Sequence, residues 1–156
     1  MGTRFTIPGR AGGTVANADI EAVDGGAIPV HGREPVRTIL LVDDDADVAN
    51  AVAQALDREG FALHWAASAE VALEHLKGGR VPGLILLDHR MPGMTGARLL
   101  GVLNADPALR GIPVVLLSGD PIGLEKAKAL GAEAAIEKPF DAAALVAAVN
   151  AYYRAS

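Results

Sequence analysis

No cysteine occurs anywhere in the 156 residues, which excludes disulfides, thiolate metal sites and a cysteine nucleophile and fits a reducing compartment. No apolar run exceeds strand length, so nothing in the sequence is suited to crossing a bilayer as a helix. No charged segment leads into an apolar stretch at the start; a secretory signal is therefore not expected, and the chain is read as cytoplasmic. Basic residues are outnumbered and scattered. Fourteen Lys and Arg against 19 Asp and Glu give a net charge of -5, with no basic patch of the kind that nucleic acid or an anionic membrane needs. The expectation is a protein with no nucleic-acid or membrane contact of its own.

What is present is apolar: 51% of the residues are hydrophobic, enough for one domain with a real core. The first 35 residues differ from the rest, with seven Gly, three Pro and no sustained periodicity. They read as a flexible leader, residues 1–35, ahead of a domain over residues 36–156. Within the leader, Thr14 to Asp24 has the pattern of a short helix with Thr14 as N-cap and Gly25 just past its end.

From Val36 onward, apolar runs and helical patterns alternate. Strands are expected at RTILLVD, FALHWAA, GLILLD, PVVLLS and AEAAIE. Helices are expected over Ala46 to Glu59, stopped by Gly60; from Ser68 as N-cap to Leu76; over Thr95 to Asn104; over Pro121 to Leu130, ended by Gly131; and over Asp141 to Arg154. Five strands alternating with five helices imply a doubly wound α/β fold, a parallel sheet covered on both faces. In such sheets functional groups collect beyond the carboxyl ends of the strands.

Those ends are polar. The first strand runs into Asp43, Asp44 and Asp45, the third ends in Asp88, the fourth in Ser118, and Lys138-Pro139 follows the fifth. Converging carboxylates supply the oxygen ligands that Mg²⁺ prefers and need a cation to relieve their repulsion. A carboxylate beside such an ion, with a lysine and a hydroxyl nearby, can act as a nucleophile toward phosphorus. Asp45 and Asp47 read as first-turn helix acids. Trp65 reads as partly buried packing, His31, His64 and His75 show no ligand spacing, and His89 is given no role.

ILLVDDD, LILLDHRMPGMTG, PVVLLSGD and EKPF, in that order and spacing, resemble the receiver domains of two-component response regulators, and the likeness covers nearly all of residues 36–156. The resemblance implies the flavodoxin-like strand order 2-1-3-4-5, Asp88 as phosphoacceptor, and Asp43 with Asp44 as the acidic pair for Mg²⁺. It further implies that the Arg90 backbone carbonyl completes the metal ligands, that Ser118 and Lys138 contact the phosphoryl group, and that Pro139 follows a cis bond. The donor would be a histidine kinase or a histidine phosphotransfer protein, and the product a monomer or a phosphorylation-dependent dimer.

One position departs from the family pattern. The aromatic residue usual three positions before the lysine is Ala135 here, which has no rotamer to switch. Arg90 and Asp120, each two residues beyond a site residue, are expected to pair over the site and set the phosphoryl lifetime. No recognisable output domain follows the last helix, so action through protein contacts, as shuttle, sink or docking module, is the expectation. Two rivals remain: a degenerate receiver used only for binding, and a haloacid-dehalogenase-like phosphatase with Asp43 as nucleophile, for which the usual Gly-Thr is missing.

Overall fold

The run LILLD contains no polar residue before its last position, so as a strand it has to be covered on both faces, and the same holds for the apolar runs ILLV and VVLL. In the computed structural model, which describes residues 5–6 and 37–154, helices provide that cover. The elements are β1 (Phe5–Thr6), β2 (Arg37–Val42), α1 (Ala46–Asp57), β3 (Phe61–Ala66), α2 (Ala69–Lys77), β4 (Leu84–Asp88), α3 (Gly96–Ala105), β5 (Val114–Ser118), α4 (Leu124–Leu130), β6 (Ala134–Glu137) and α5 (Ala142–Tyr152).

All strands pair in parallel, in the order β1-β3-β2-β4-β5-β6. Counted from Arg37, the five longer strands have the order 2-1-3-4-5 expected from the resemblance. The additional strand, Phe5–Thr6, lies against β3 with Phe5 opposite Leu63 and Thr6 opposite His64. The rest of the leader, with the helix expected over Thr14 to Asp24, lies outside the described residues.

Period-two alternation divides the apolar side chains between two cores. Ile39, Leu41, Leu84, Leu86, Val115 and Leu117 pack with Val52 and Leu56 of α1 and with Leu145 and Val149 of α5. Leu40, Val42, Ile85, Leu87 and Leu116 pack on the other face with Leu76, Leu99, Leu103 and Ala127. Each fully buried leucine contributes about 1.5–3 kcal/mol of transfer free energy, so the central strands are held rigidly from above and below.

Local signals set the helix ends. Ser68, Thr95 and Asp141 cap α2, α3 and α5, each side-chain oxygen accepting a backbone N–H of its own first turn. Asp45, expected as a first-turn acid, is instead the N-cap of α1 and accepts from the Asp47 N–H at 2.8 Å. Helix α4 begins at Leu124 rather than Pro121, with Gly123 as an N-cap that has no side chain to bond. Gly131 ends it at φ 100°, a left-handed conformation that a side chain would strain.

Candidate functional site

The order of the sheet reverses its winding at β2 and β4: the chain leaves β2 toward β3, then returns past β2 to β4. The crevice beyond the carboxyl ends of these two strands is the switch point, where doubly wound sheets hold ligands. Asp43 follows β2 and Asp88 ends β4, one on each side of it.

Both carboxylates are largely out of solvent, Asp43 at 0% and Asp88 at 6% relative exposure, whereas Asp44 is exposed. Oxygen atoms from Asp43, Asp44 and Asp88 all lie within 4.8 Å of one another, a donor set and spacing that suit a hard divalent cation. Lys138 reaches in from beyond β6, its Nζ 2.8 Å from Asp43 Oδ2 and 3.2 Å from Asp88 Oδ1. One ammonium thus holds two acids together. The Lys138-Pro139 bond is cis, as the resemblance implies, and the Lys138 N–H donates to the Ser118 carbonyl at 2.6 Å.

Burial pushes the Asp43 carboxyl above the usual carboxylate range, against the lowering effect of hydrogen bonds from Lys138 and from the Asp45 N–H, while the Asp88 charge adds to the rise. Burial acts on Lys138 too, disfavouring its charge, but the hydrogen bond and charge of Asp43, followed by Asp88, outweigh it and the ammonium is held above its ordinary value. The lysine therefore stays charged where it is most needed, between the acids.

Ser118 is 2% exposed at the end of β5, and its hydroxyl is bonded to the backbone of the following loop. Its hydroxyl donates to the Asp120 carbonyl at 2.7 Å and accepts from the Asp120 N–H at 3.1 Å. Arg90 Nη2 lies 2.5 Å from Asp120 Oδ2. The expected pairing of Arg90 with Asp120 is present, and it joins the loop after β4 to the loop after β5. The Arg90 N–H lies 3.4 Å from Asp88 Oδ1.

Two supporting residues escaped the sequence reading. Trp65 is buried rather than partly buried, and its indole N–H donates to the Asp43 carbonyl at 2.6 Å, anchoring the backbone that carries the acid. Only its register opposite Leu41, two residues before Asp43, could have pointed to this. Gly96 begins α3 so close to the strand that an added Cβ would lie 2.4 Å from the Asp88 carbonyl oxygen; no local pattern separates such a glycine from an ordinary turn residue. Beside the site, Ser118, Ile122, Ala135 and Glu137 line part of an open cleft of about 260 Å³. His64 and His75, which lack ligand spacing, form a buried pair with ring centroids 4.9 Å apart, and His89 contacts none of the site carboxylates through its unbonded Nδ1.

Comparison with known proteins agrees with this geometry. The family model "Response regulator receiver domain" matches residues 39–150. The transcriptional regulatory protein FixJ of Azorhizobium caulinodans is 39% identical over 129 residues, covering 80% of this chain and 54% of that protein. The DNA-binding response regulator MtrA of Mycobacterium tuberculosis is 38% identical over 118 residues, 74% of this chain and 50% of its own length. The chain thus spans about half the length of these curated relatives. Among solved structures, a CheY-like response regulator receiver domain protein from Methanospirillum hungatei superposes with a TM-score of 0.66 at 28% identity, over 75% of this chain and 93% of that one.

Proposed function

The chain belongs to the response regulator receiver family, and from that premise we propose that it accepts a phosphoryl group on Asp88 from a histidine kinase or a histidine phosphotransfer protein. The observation that carries the reading is the convergence on one crevice of Asp43, Asp44, Asp88 and Lys138, with Ser118 at its border. An Asp88 carboxylate oxygen attacks the phosphorus of the phosphohistidine. The O–P bond forms as the N–P bond breaks, and the bonding pair leaves on the imidazole nitrogen.

Asp43, Asp44, Asp88 and the Arg90 backbone carbonyl are the proposed holders of Mg²⁺, which when bound supplies charge neutralisation on the phosphoryl oxygens. Lys138, already bonded to Asp88, needs only a small movement to reach a phosphoryl oxygen on it. Ser118 has to surrender its bond to the Asp120 carbonyl before its hydroxyl can turn inward. Receivers are signalling modules rather than conventional enzymes, and the slow loss of the phosphoryl group to water is the one hydrolytic step proposed here.

FixJ and MtrA are named as transcriptional and DNA-binding regulators, and those names describe proteins about twice the span of the match. For the unit over residues 36–156, with a leader over 1–35, we infer a cytoplasmic module acting through protein contacts as shuttle, sink or docking partner. Among the described residues no helix is long and apolar enough to cross a membrane. The phosphatase alternative is dropped, because the receiver-domain family model matches residues 39–150, Asp43 and Asp88 included.

The test is mass spectrometry after incubation with acetyl phosphate and Mg²⁺, on wild type and Asp88→Asn in parallel. An adduct in wild type alone is expected. No adduct in either, with Mg²⁺ binding confirmed, would leave the chain as a binding-only receiver.

A further inference from the structure

The two edges of the sheet are unlike. Strand β6, at one edge, is only partly buried, ends in the exposed Glu137 and follows Glu133; charge of this kind discourages a second chain from pairing there. Strand β3, toward the other edge, reads FALHWA. It is buried at every position and has no Asp, Glu, Lys, Arg or Pro. Its one titratable side chain, His64, has its pKa pushed down to about 4 by burial, so it offers no charge at neutral pH. By composition this is an edge open to pairing, with none of the usual guards.

Backbone parity identifies which groups the edge would present. The Asp43 N–H bonds to the Ala66 carbonyl, so Ala66, and with it His64, faces β2. Leu63 therefore turns its N–H and C=O outward, away from β2. Opposite Leu63 the structure seats Phe5, with Thr6 next along a parallel register. In a ladder of that register the Thr6 N–H meets the Leu63 carbonyl.

We propose that the outer edge of β3 is a strand-docking site whose occupant is the chain's own leader, and that Phe5–Thr6 is its guard. The thirty residues numbered 7–36 between Thr6 and Arg37 give ample chain for Thr6 to reach β3, beyond the neighbouring β2. Pairing over only two residues makes few hydrogen bonds, so the guard opens locally far more readily than the core unfolds. Phe5–Thr6 is then part of the sheet, and the proposal is independent of whether Asp88 is phosphorylated.

Amide hydrogen exchange on the full chain tests it, comparing wild type, Thr6→Pro and Thr6→Ala. Proline removes the donor and the pairing; alanine keeps the N–H. Exchange at Leu63 is expected to be roughly tenfold faster in Thr6→Pro and unchanged in Thr6→Ala, while Leu40, inside the sheet on β2, keeps its protection in both. Equal Leu63 exchange in all three proteins would overturn the proposal, as would equal acceleration at Leu63 and Leu40. Protection of Leu63 that rises with protein concentration in wild type would assign the edge to a second copy's strand and overturn it as well.

Discussion

Arg90 and Asp120 meet at 2.5 Å between the loops that follow Asp88 and Ser118, and the backbone of that same Asp120 closes a hydrogen-bonded ring on the Ser118 hydroxyl. Both side chains are more than half exposed, and exposed pairs contribute little to stability. Their effect is placed instead on access to Asp88. Arg90→Ala and Asp120→Ala are each expected to shorten the lifetime of phosphorylated Asp88, by roughly tenfold, or about 1.4 kcal/mol off the barrier. Single-turnover decay of the phosphoprotein measures it; equal rates in wild type and both variants would end the idea.

Lys138 separates two carboxylates that would otherwise face each other in a crevice largely closed to water. Replacing it with methionine keeps the stem and removes the charge. Lys138→Met is expected to cost on the order of 3 kcal/mol in urea unfolding at neutral pH without Mg²⁺, because breaking a buried pair strands its partner. Adding Mg²⁺ should recover part of that loss, since the ion takes over the neutralising role. A variant as stable as wild type in metal-free buffer would contradict the bridging role.

The indole of Trp65 bonds to the backbone of Asp43, and it is the only tryptophan in the chain. Its fluorescence is therefore expected to change on titration with Mg²⁺. Asp44→Asn, which removes one charge from the ligand set without disturbing the buried pair, is expected to weaken the apparent affinity about tenfold. An unchanged midpoint would remove Asp44 from the set of metal ligands.

His64 and His75 are buried together, and burial first, then nearby positive charge, pushes both down to about 4 from 6.5. The unfolded chain takes up their protons first as pH falls, so stability is full above about 6.5 and declines from there toward 4. By pH 5 the expected loss is about 2 kcal/mol per histidine, at roughly 1.4 kcal/mol per unit. Asp43, raised by burial, contributes with the opposite sign: its share is present at low pH and lost as pH rises through its folded value. Urea unfolding from pH 7.5 to 5 checks the sum, and His75→Leu should flatten the slope. A slope unchanged by that substitution would show that the pair is not its source.

Gly96 leaves no room for a side chain against the Asp88 carbonyl. Gly96→Ala should push the start of α3 away from β4, costing about 1–3 kcal/mol and slowing phosphorylation of Asp88 by acetyl phosphate. Wild-type behaviour in both assays would mean that the loop yields without moving the acid.

By itself the sequence determined the fold and the candidates for the site. Strand-length apolar runs separated by helical patterns admit little besides a parallel sheet covered on both faces, and chain order then places Asp43, Asp88, Ser118 and Lys138 at strand ends on one edge. Such features are local, written in residues next to one another. The tertiary structure decided what depends on residues distant in the chain. It bonded the Ser118 hydroxyl to the Asp120 backbone and the Trp65 indole to the Asp43 carbonyl, set the His64 ring at a tilt against His75 and seated Phe5–Thr6 beside β3. Hydrogen bonds and ring contacts of that kind follow from how whole elements are packed and rotated against each other, and no short window of sequence encodes them.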